Sequence, residues 1–277
     1  MPELPEVETL TRALSQVLPG RTLTRVRFHR SDLRFPIPVR QFTRLLQGEK
    51  IDGLRRRSKY LLMETRRGTG IFHLGMSGNM FVMDQAQPRL KHTHAVLKFE
   101  DKTDPPVWIH FVDPRRFGVI TCCPRGETES HPFFVHLGPE PLGTRGLATH
   151  LQNTGQGRSA PVKNFIMDQR HVVGVGNIYA SESLFRARIH PLRETGSLSR
   201  EEWQTLAREI RATLREAIRA GGTSFSDFRN PDGNPGYFSI SLKVYGRGGE
   251  PCRRCRAPVE TLRLGGRSTF FCEVCQN

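Results

Sequence analysis

The sequence predicts an α+β protein with a β-rich first half and a helical second half that ends in a metal-binding module. Three observations carry this. Six short β-type runs separated by turn residues lie between Thr22 and about Thr121. One long amphipathic helix covers residues 200–220. Four of the six cysteines stand as two C-x-x-C pairs close to the last residue. At 277 residues the chain has length for two domains, each with its own core.

The first element is a helix over 6–18. Val7, Leu10, Leu14 and Val17 recur on one face, and Pro19-Gly20 stops it. The β-type runs follow at 23–28, 59–64, 70–74, 95–99, 107–111 and 118–121, a spacing that suits a sandwich or a barrel. The basic segment Arg55-Arg56-Arg57-Ser58-Lys59-Tyr60 leads into the second run. Two glycine-containing turns, His73-Leu74-Gly75-Met76-Ser77-Gly78 and Asp113-Pro114-Arg115-Arg116-Phe117-Gly118, carry an apolar side chain or a pair of arginines where a strand should end. Residues 122–150 are rich in Pro, Gly and His and read as a connection; Cys122 and Cys123 before it are expected to be small buried hydrophobes or free thiols.

In the second half, Gly174-Val175-Gly176 precedes Asn177, read as a helix N-cap, so helix N–H groups are available to a phosphate. Ser199 and Glu202 have capping-box spacing. Trp203, Leu206, Ile210, Leu214 and Ala217 form one stripe, and Gly221-Gly222 ends the helix. A Gly/Asn/Pro-rich loop at 230–236 follows. The last module, Cys252-Arg253-Arg254-Cys255, sixteen residues and Cys272-Glu273-Val274-Cys275, offers four thiolates. That set closes a tetrahedron round zinc and leaves no open position; a rubredoxin-like iron site uses the same ligands, but the basic residues between the pairs favour one structural zinc.

The net charge is +15 and the pI about 10.3, which points to a polyanionic partner, with nucleic acid first. There is no apolar run of eighteen residues and no basic-then-apolar leader pattern, so a cytoplasmic protein with reduced cysteines is expected. The most unusual feature is Pro2. Removal of Met1 would expose a secondary amine whose pKa near ~8 leaves part of it neutral and nucleophilic. Glu3 and Glu6 place carboxylates beside it.

The run Pro2-Glu3-Leu4-Pro5-Glu6-Val7-Glu8-Thr9 resembles the opening of bacterial formamidopyrimidine-DNA glycosylases of the Fpg/Nei family, and that family's other motifs recur in order to the last residues. The resemblance implies a β-sandwich catalytic domain (1–135), a linker (136–150), a helix-two-turns-helix domain (151–242) and a zinc-ribbon hairpin (243–277). It implies a base-excision repair enzyme, with DNA glycosylase and AP lyase activities, acting as a monomer on double-stranded DNA that carries oxidised bases or abasic sites, with DNA between the halves and no nucleotide cofactor. Pro2 would be the nucleophile, Glu3 the proton donor and acceptor, and Lys59 the pocket lysine that assists strand cleavage. Glu6 would order the N-terminus, and Arg267 would reach the lesion from the zinc hairpin, which also carries Arg263. Met76, Arg115 and Phe117 would fill the gap left by the flipped base. His92, Arg115, Arg158, Lys163 and Asn177 would contact DNA. The 230–236 loop would close over the extruded base. Cys252, Cys255, Cys272 and Cys275 would hold zinc. Leu4 and Val7-Glu8-Thr9 favour oxidised purines over the pyrimidine-specific endonuclease VIII branch. A non-catalytic damage sensor would lack Pro2, Glu3 or Lys59, and a bare zinc-ribbon nucleic-acid binder leaves the N-terminus unexplained.

Overall fold

The computed structural model describes residues 2–83, 90–222 and 242–277. The 230–236 loop, Tyr237-Phe238 and the fate of Met1 lie outside them. The chain divides into two compact units, Met1–Val135 with Ala220–Tyr237, and His136–Arg219 with Phe238–Asn277.

The first unit begins with α1 (Leu4–Val17), two residues earlier than the apolar stripe predicts, because the cap is Glu3. Pro5 sits in its first turn, where no amide proton is needed. Val7, Leu10 and Leu14 are fully buried. The strands are β1 (Thr22–Phe28), β2 (Ile51–Arg57), β3 (Tyr60–Thr65), β4 (Gly68–His73), β5 (Asn79–Met83), β6 (Thr93–Glu100), β7 (Val107–Val112) and β8 (Val119–Pro124), with α2 (Val39–Leu46) after β1. They form two antiparallel four-stranded sheets, β1-β6-β7-β5 and β2-β3-β4-β8. The architecture is therefore a sandwich. Its core includes Leu61, Met63, Leu97, Ile109 and an aromatic chain in which Phe42 of α2 meets Phe28 at 5.4 Å and Phe72 at 5.9 Å between ring centroids.

The sequence reading missed β2, β5 and α2. In β2 three consecutive arginines hide the strand alternation, and in α2 only Phe42 and Leu46 are buried. The connection begins later than its composition suggests. Cys122 and Cys123 belong to β8 and are buried, as expected of small hydrophobes, and Phe134 is buried too. Burial pushes both thiols up, that of Cys122 to about 12, so neither is a ready nucleophile.

The second unit holds α3 (Leu147–Gly155), α4 (Val162–Met167), α5 (Asn177–Ala187) and α6 (Arg200–Arg219), then the hairpin β9 (Glu260–Leu264) and β10 (Arg267–Phe271). The capping box of α6 is formed: the Ser199 N–H donates to Glu202 Oε2 at 2.7 Å and the Glu202 N–H to Ser199 Oγ at 3.3 Å. Gly265 and Gly266, both at positive φ, make the two-residue turn that puts Arg267 opposite Leu264. Among the described residues no helix is long and apolar enough to cross a membrane.

One ion pair fixes α1 on the sandwich. Arg56 Nε donates to Glu8 Oε2 at 2.8 Å, and Arg56 Nη1 donates to the Ser58 carbonyl at 2.9 Å, so the helix is tied to the β2–β3 turn that carries Lys59. Burial pushes the Glu8 carboxyl up, but the hydrogen bonds and charges of Arg56 and Arg12 outweigh it and hold the group below its usual range. A carboxyl so depressed stabilises the fold above its unfolded value and loses that contribution as pH falls through the folded one. Arg56→Gln should therefore cost about 1 kcal/mol at pH 7. In thermal melts the gap between variant and parent should close as pH drops below 4.5, the group's ordinary value. A gap independent of pH would show that Glu8 is not the partner that matters.

Candidate active site

The N-terminus is organised by two carboxylates. Glu3 is extended, and its side chain accepts the N–H of Glu6, while Glu6 Oε2 accepts the N–H of Glu3 at 2.8 Å. This is a capping box with glutamate in the position that serine or threonine usually takes. Both residues are only 2 % exposed, and Pro2 is buried beside them. The chain direction at Pro2 is thus set by the first turn of α1 and is not that of a loose end. Two negative groups at a helix N-terminus also complement the macrodipole.

Lys59 is the second residue of the turn between β2 and β3, after Ser58 at φ 56°. The neighbouring His73 closes β4, with its ring 4.7 Å from that of Tyr60. His73 Nδ1 accepts the Gly75 N–H at 3.0 Å, which leaves its proton on Nε2. Burial first, then the charges of Lys59 and Arg34, push this imidazole down to about 4, so it stays neutral through the physiological range. Sequence reading gave His73 no role, because its meaning lies in the Lys59 and Arg34 charges brought near it by pairing of β3 with β4.

The two glycine-containing turns pack into one device whose hub is the fully buried Asp113. Its Oδ1 accepts Ser77 Oγ–H at 2.7 Å and the Arg115 N–H at 3.3 Å, and its Oδ2 accepts the Gly118 N–H at 2.7 Å. The Asp113 N–H donates to the His92 carbonyl at 3.1 Å, and His94 Nε2 lies 2.7 Å from the Asp113 carbonyl oxygen. Gly75 is at φ 64°, and a Cβ there would come 2.4 Å from the Phe117 carbonyl carbon, so only glycine permits this approach. The outcome is a set of exposed tips on a locked base. Met76 is 37 % and Phe117 41 % exposed, and the Arg115 guanidinium lies 5.1 Å from the Phe117 ring. His92, at φ 63°, is exposed on the adjoining turn.

The second unit has its own hub. Lys163 is 1 % exposed, and its ammonium donates to Asn177 Oδ1 at 2.6 Å, Thr269 Oγ1 at 2.7 Å and the Ser268 carbonyl at 3.5 Å. Asn177 Nδ2 donates to the same Ser268 carbonyl at 2.9 Å. One expectation is corrected here. The N-cap of α5 is Gly176, and Asn177 is the first helical residue, since its amide is engaged by Lys163 and by β10. In the free protein Lys163 faces inward, so its charge sets the place of Asn177 and of the strand that starts at Arg267. Arg267 itself is exposed. Arg158 is exposed too, with its Nε donating to the Thr154 carbonyl at 2.6 Å and its guanidinium 5.9 Å from the Phe165 ring.

Glu182, which the sequence did not single out, accepts the consecutive N–H groups of Lys243, Val244 and Tyr245 at 2.9 Å each. A buried carboxylate filling a turn of amides fixes the entry to the cysteine module. There the four Sγ atoms lie within 4.8 Å of one another, with Cys255 to Cys272 at 3.4 Å and Cys252 to Cys275 at 4.0 Å. A tetrahedron with Zn–S of ~2.3 Å has edges of about 3.8 Å, so the donor set fits a closed structural zinc site. Gln276 ties the module to the segment just after α5, accepting the Cys272 N–H at 2.9 Å and donating to the Ile189 carbonyl at 2.9 Å.

A buried Pro2 before two buried carboxylates that cap a helix, a sandwich bearing apolar and arginine tips, and a cysteine hairpin locked to a helix N-terminus define a class of nucleic-acid repair protein. Three family models cover most of the chain: the formamidopyrimidine-DNA glycosylase N-terminal domain at 1–120, its H2TH domain at 137–229, and the zinc finger found in FPG and IleRS at 249–277. Formamidopyrimidine-DNA glycosylases from Vibrio parahaemolyticus and Stenotrophomonas maltophilia are each 47 % identical over 276 residues and the full length of both chains. The Thermus thermophilus MutM (Fpg) structure is similar at TM-score 0.87 and 40 % identity, over 99 % of this chain and 98 % of that one. The Lactococcus lactis Fpg complex with abasic-site DNA is similar at TM-score 0.90 and 31 % identity, over all of both chains. The chain belongs to the formamidopyrimidine-DNA glycosylase family.

The Lys163 hub can be tested. Lys163→Met keeps the stem and removes the donors, leaving buried acceptors unmet, and should destabilise the second unit by about 2 kcal/mol. Affinity for lesion and undamaged duplex should fall together with the slope of log affinity against log salt unchanged. A slope shallower by about one would instead put the ammonium on a phosphate.

Proposed function

We propose that this protein is a base-excision repair DNA glycosylase with AP lyase activity that removes oxidised purines, 8-oxoguanine and formamidopyrimidines, from duplex DNA. The observation that supports the reading is the buried reciprocal cap of Glu3 and Glu6 directly after the buried Pro2. Once Met1 is removed, that nitrogen is a secondary amine. Its lone pair forms a bond to C1′ of the damaged nucleotide, and the glycosidic bond breaks with its electrons leaving on the base. Glu3 supplies and then recovers the proton at the sugar, and Glu6 holds the nitrogen in line.

The nitrogen then gives up its proton and the C1′–O4′ bond breaks, with O4′ taking a proton from Glu3, and the iminium cation so formed withdraws electrons from the opened sugar. Loss of the C2′ proton expels the 3′ phosphate, and a second elimination expels the 5′ phosphate. Lys59, close enough to depress His73, assists these cleavage steps from the β2–β3 turn. Met76, Arg115 and Phe117 occupy the stack vacated by the flipped nucleotide, a role supported by their exposure on a base locked by Asp113. His92, Arg158 and Asn177 bind the backbone, with Lys163 holding Asn177, and Arg267 enters the lesion site from the zinc hairpin. Zinc serves the fold of that hairpin and takes no part in the chemistry. The related Lactococcus lactis complexes contain Fapy-dG or abasic-site DNA, which supports the purine assignment. With chromosomal DNA as its substrate, the enzyme works in the cytoplasm at the nucleoid.

The test separates the two activities. Glu3→Gln should bind 8-oxoguanine duplex as tightly as the parent yet lose base excision by at least about a hundredfold, the scale of a lost general acid. Cleavage of a preformed abasic site, which needs no base departure, should fall far less. Undiminished excision of 8-oxoguanine by the variant, or excision of oxidised pyrimidines alone by the parent, would overturn the proposal.

A further inference from the structure

A cavity of about 430 Å3 in the second unit is lined by Phe185, Arg186, Glu216, Lys243, Arg253 and Arg254. Among the described residues four cations thus face one carboxylate, and Glu216 is already taken by Arg186 through a bidentate pair at 2.7 and 2.8 Å, with Glu209 behind at 3.2 Å. Arg254 and Lys243 each have a fixed support. Arg253 and Arg254 lie between the ligands Cys252 and Cys255, and the Arg254 N–H donates to Cys252 Sγ at 3.4 Å. The Arg254 guanidinium lies 4.7 Å from the Phe185 ring, whose floor is the core shared with Val244, Cys252 and Cys272. The backbone of Lys243 is pinned by Glu182.

A concave site with an apolar floor and preorganised excess cations has the chemistry of an anion receptor. A guanidinium braced on an aromatic ring offers its N–H edge as a fork that matches phosphate oxygens bidentately. The cavity is larger than a single bare anion needs and suits linked phosphoryl groups. It is not the Asn177 region seen again, because Arg186 is nine residues further along α5, about 13 Å away. We propose that this cavity is a second phosphate-binding site, which takes the phosphoryl groups of a DNA strand or of a free nucleotide. It stands independently of lesion excision.

The test uses the zinc-loaded full chain, titrated with inorganic pyrophosphate at low salt and, separately, with undamaged duplex. Two variants are compared, Arg253→Gln with Arg254→Gln, and Lys243→Gln, which leaves the cysteine knuckle untouched. The parent should bind pyrophosphate and each variant should bind it at least tenfold more weakly, with zinc content and excision from saturating lesion duplex unchanged. If DNA supplies the phosphates, pyrophosphate should compete with duplex and the double variant's salt slope should be shallower by about two. An unchanged duplex slope with pyrophosphate binding lost would mark free nucleotides as the source and still support the site. Absence of pyrophosphate binding by the parent together with unchanged duplex slopes, or binding that survives both variants, would overturn it.

Discussion

Two glutamates and one turn of helix set the place of the first residues of this chain. A terminal amine is ordinarily the least ordered nucleophile a protein has, since terminal residues fray unless they are tied down. Here Glu3 and Glu6 each accept the other's amide proton, both are buried, and the helix they start is held by Val7, Leu10 and Leu14 in the core and by Glu8 on Arg56. The reaction proposed at Pro2 would need little further orientation, because Pro2 is already buried on this cap. The same carboxylates that cap the helix are the groups proposed to move protons at that nitrogen. In that proposal one motif serves folding and catalysis, and damage to it would be felt in both.

The rest of the molecule repeats this arrangement, with a buried polar hub supporting exposed groups. Asp113 draws the turns of Met76, His92 and Arg115 to one point, and Gly75 lets the first and third touch. Lys163 joins Asn177 to the strand that begins at Arg267. Glu182 gathers three amides at the entrance to the zinc module. Each hub satisfies its hydrogen-bonding groups completely enough to remain buried, which is the condition under which such a network adds rigidity. The exposed residues around them are mostly cations and apolar tips, as expected of a surface that meets phosphate and stacked bases.

Much of this was legible in the sequence where the signal is local. The stripe of α1, the box that opens α6 and the two C-x-x-C pairs all depend on residues a few positions apart, and all appear in the structure. What depends on distant residues was not legible. Three arginines in a row read as a charged segment, yet they are strand β2, with Arg56 turned onto Glu8 forty-eight positions away. Asn177 reads as a cap until Lys163 and Ser268 are seen to hold its amide. Nothing around Glu182 announces the amides of 243–245, sixty positions on. His73 likewise gains its neutral imidazole only from burial and from charges on other elements.

The proposed bond between the nitrogen of Pro2 and the sugar can be read directly. Protein beginning at Pro2 is incubated with 8-oxoguanine duplex and borohydride, which reduces an iminium to a stable amine, and the cross-linked peptide is sequenced by mass spectrometry. A single adduct is expected on the N-terminal peptide, carried by Pro2, and none when an additional residue precedes Pro2 and turns its nitrogen into an amide. An adduct on Lys59 or any other side chain, or one that persists with the blocked N-terminus, would contradict the proposed bond.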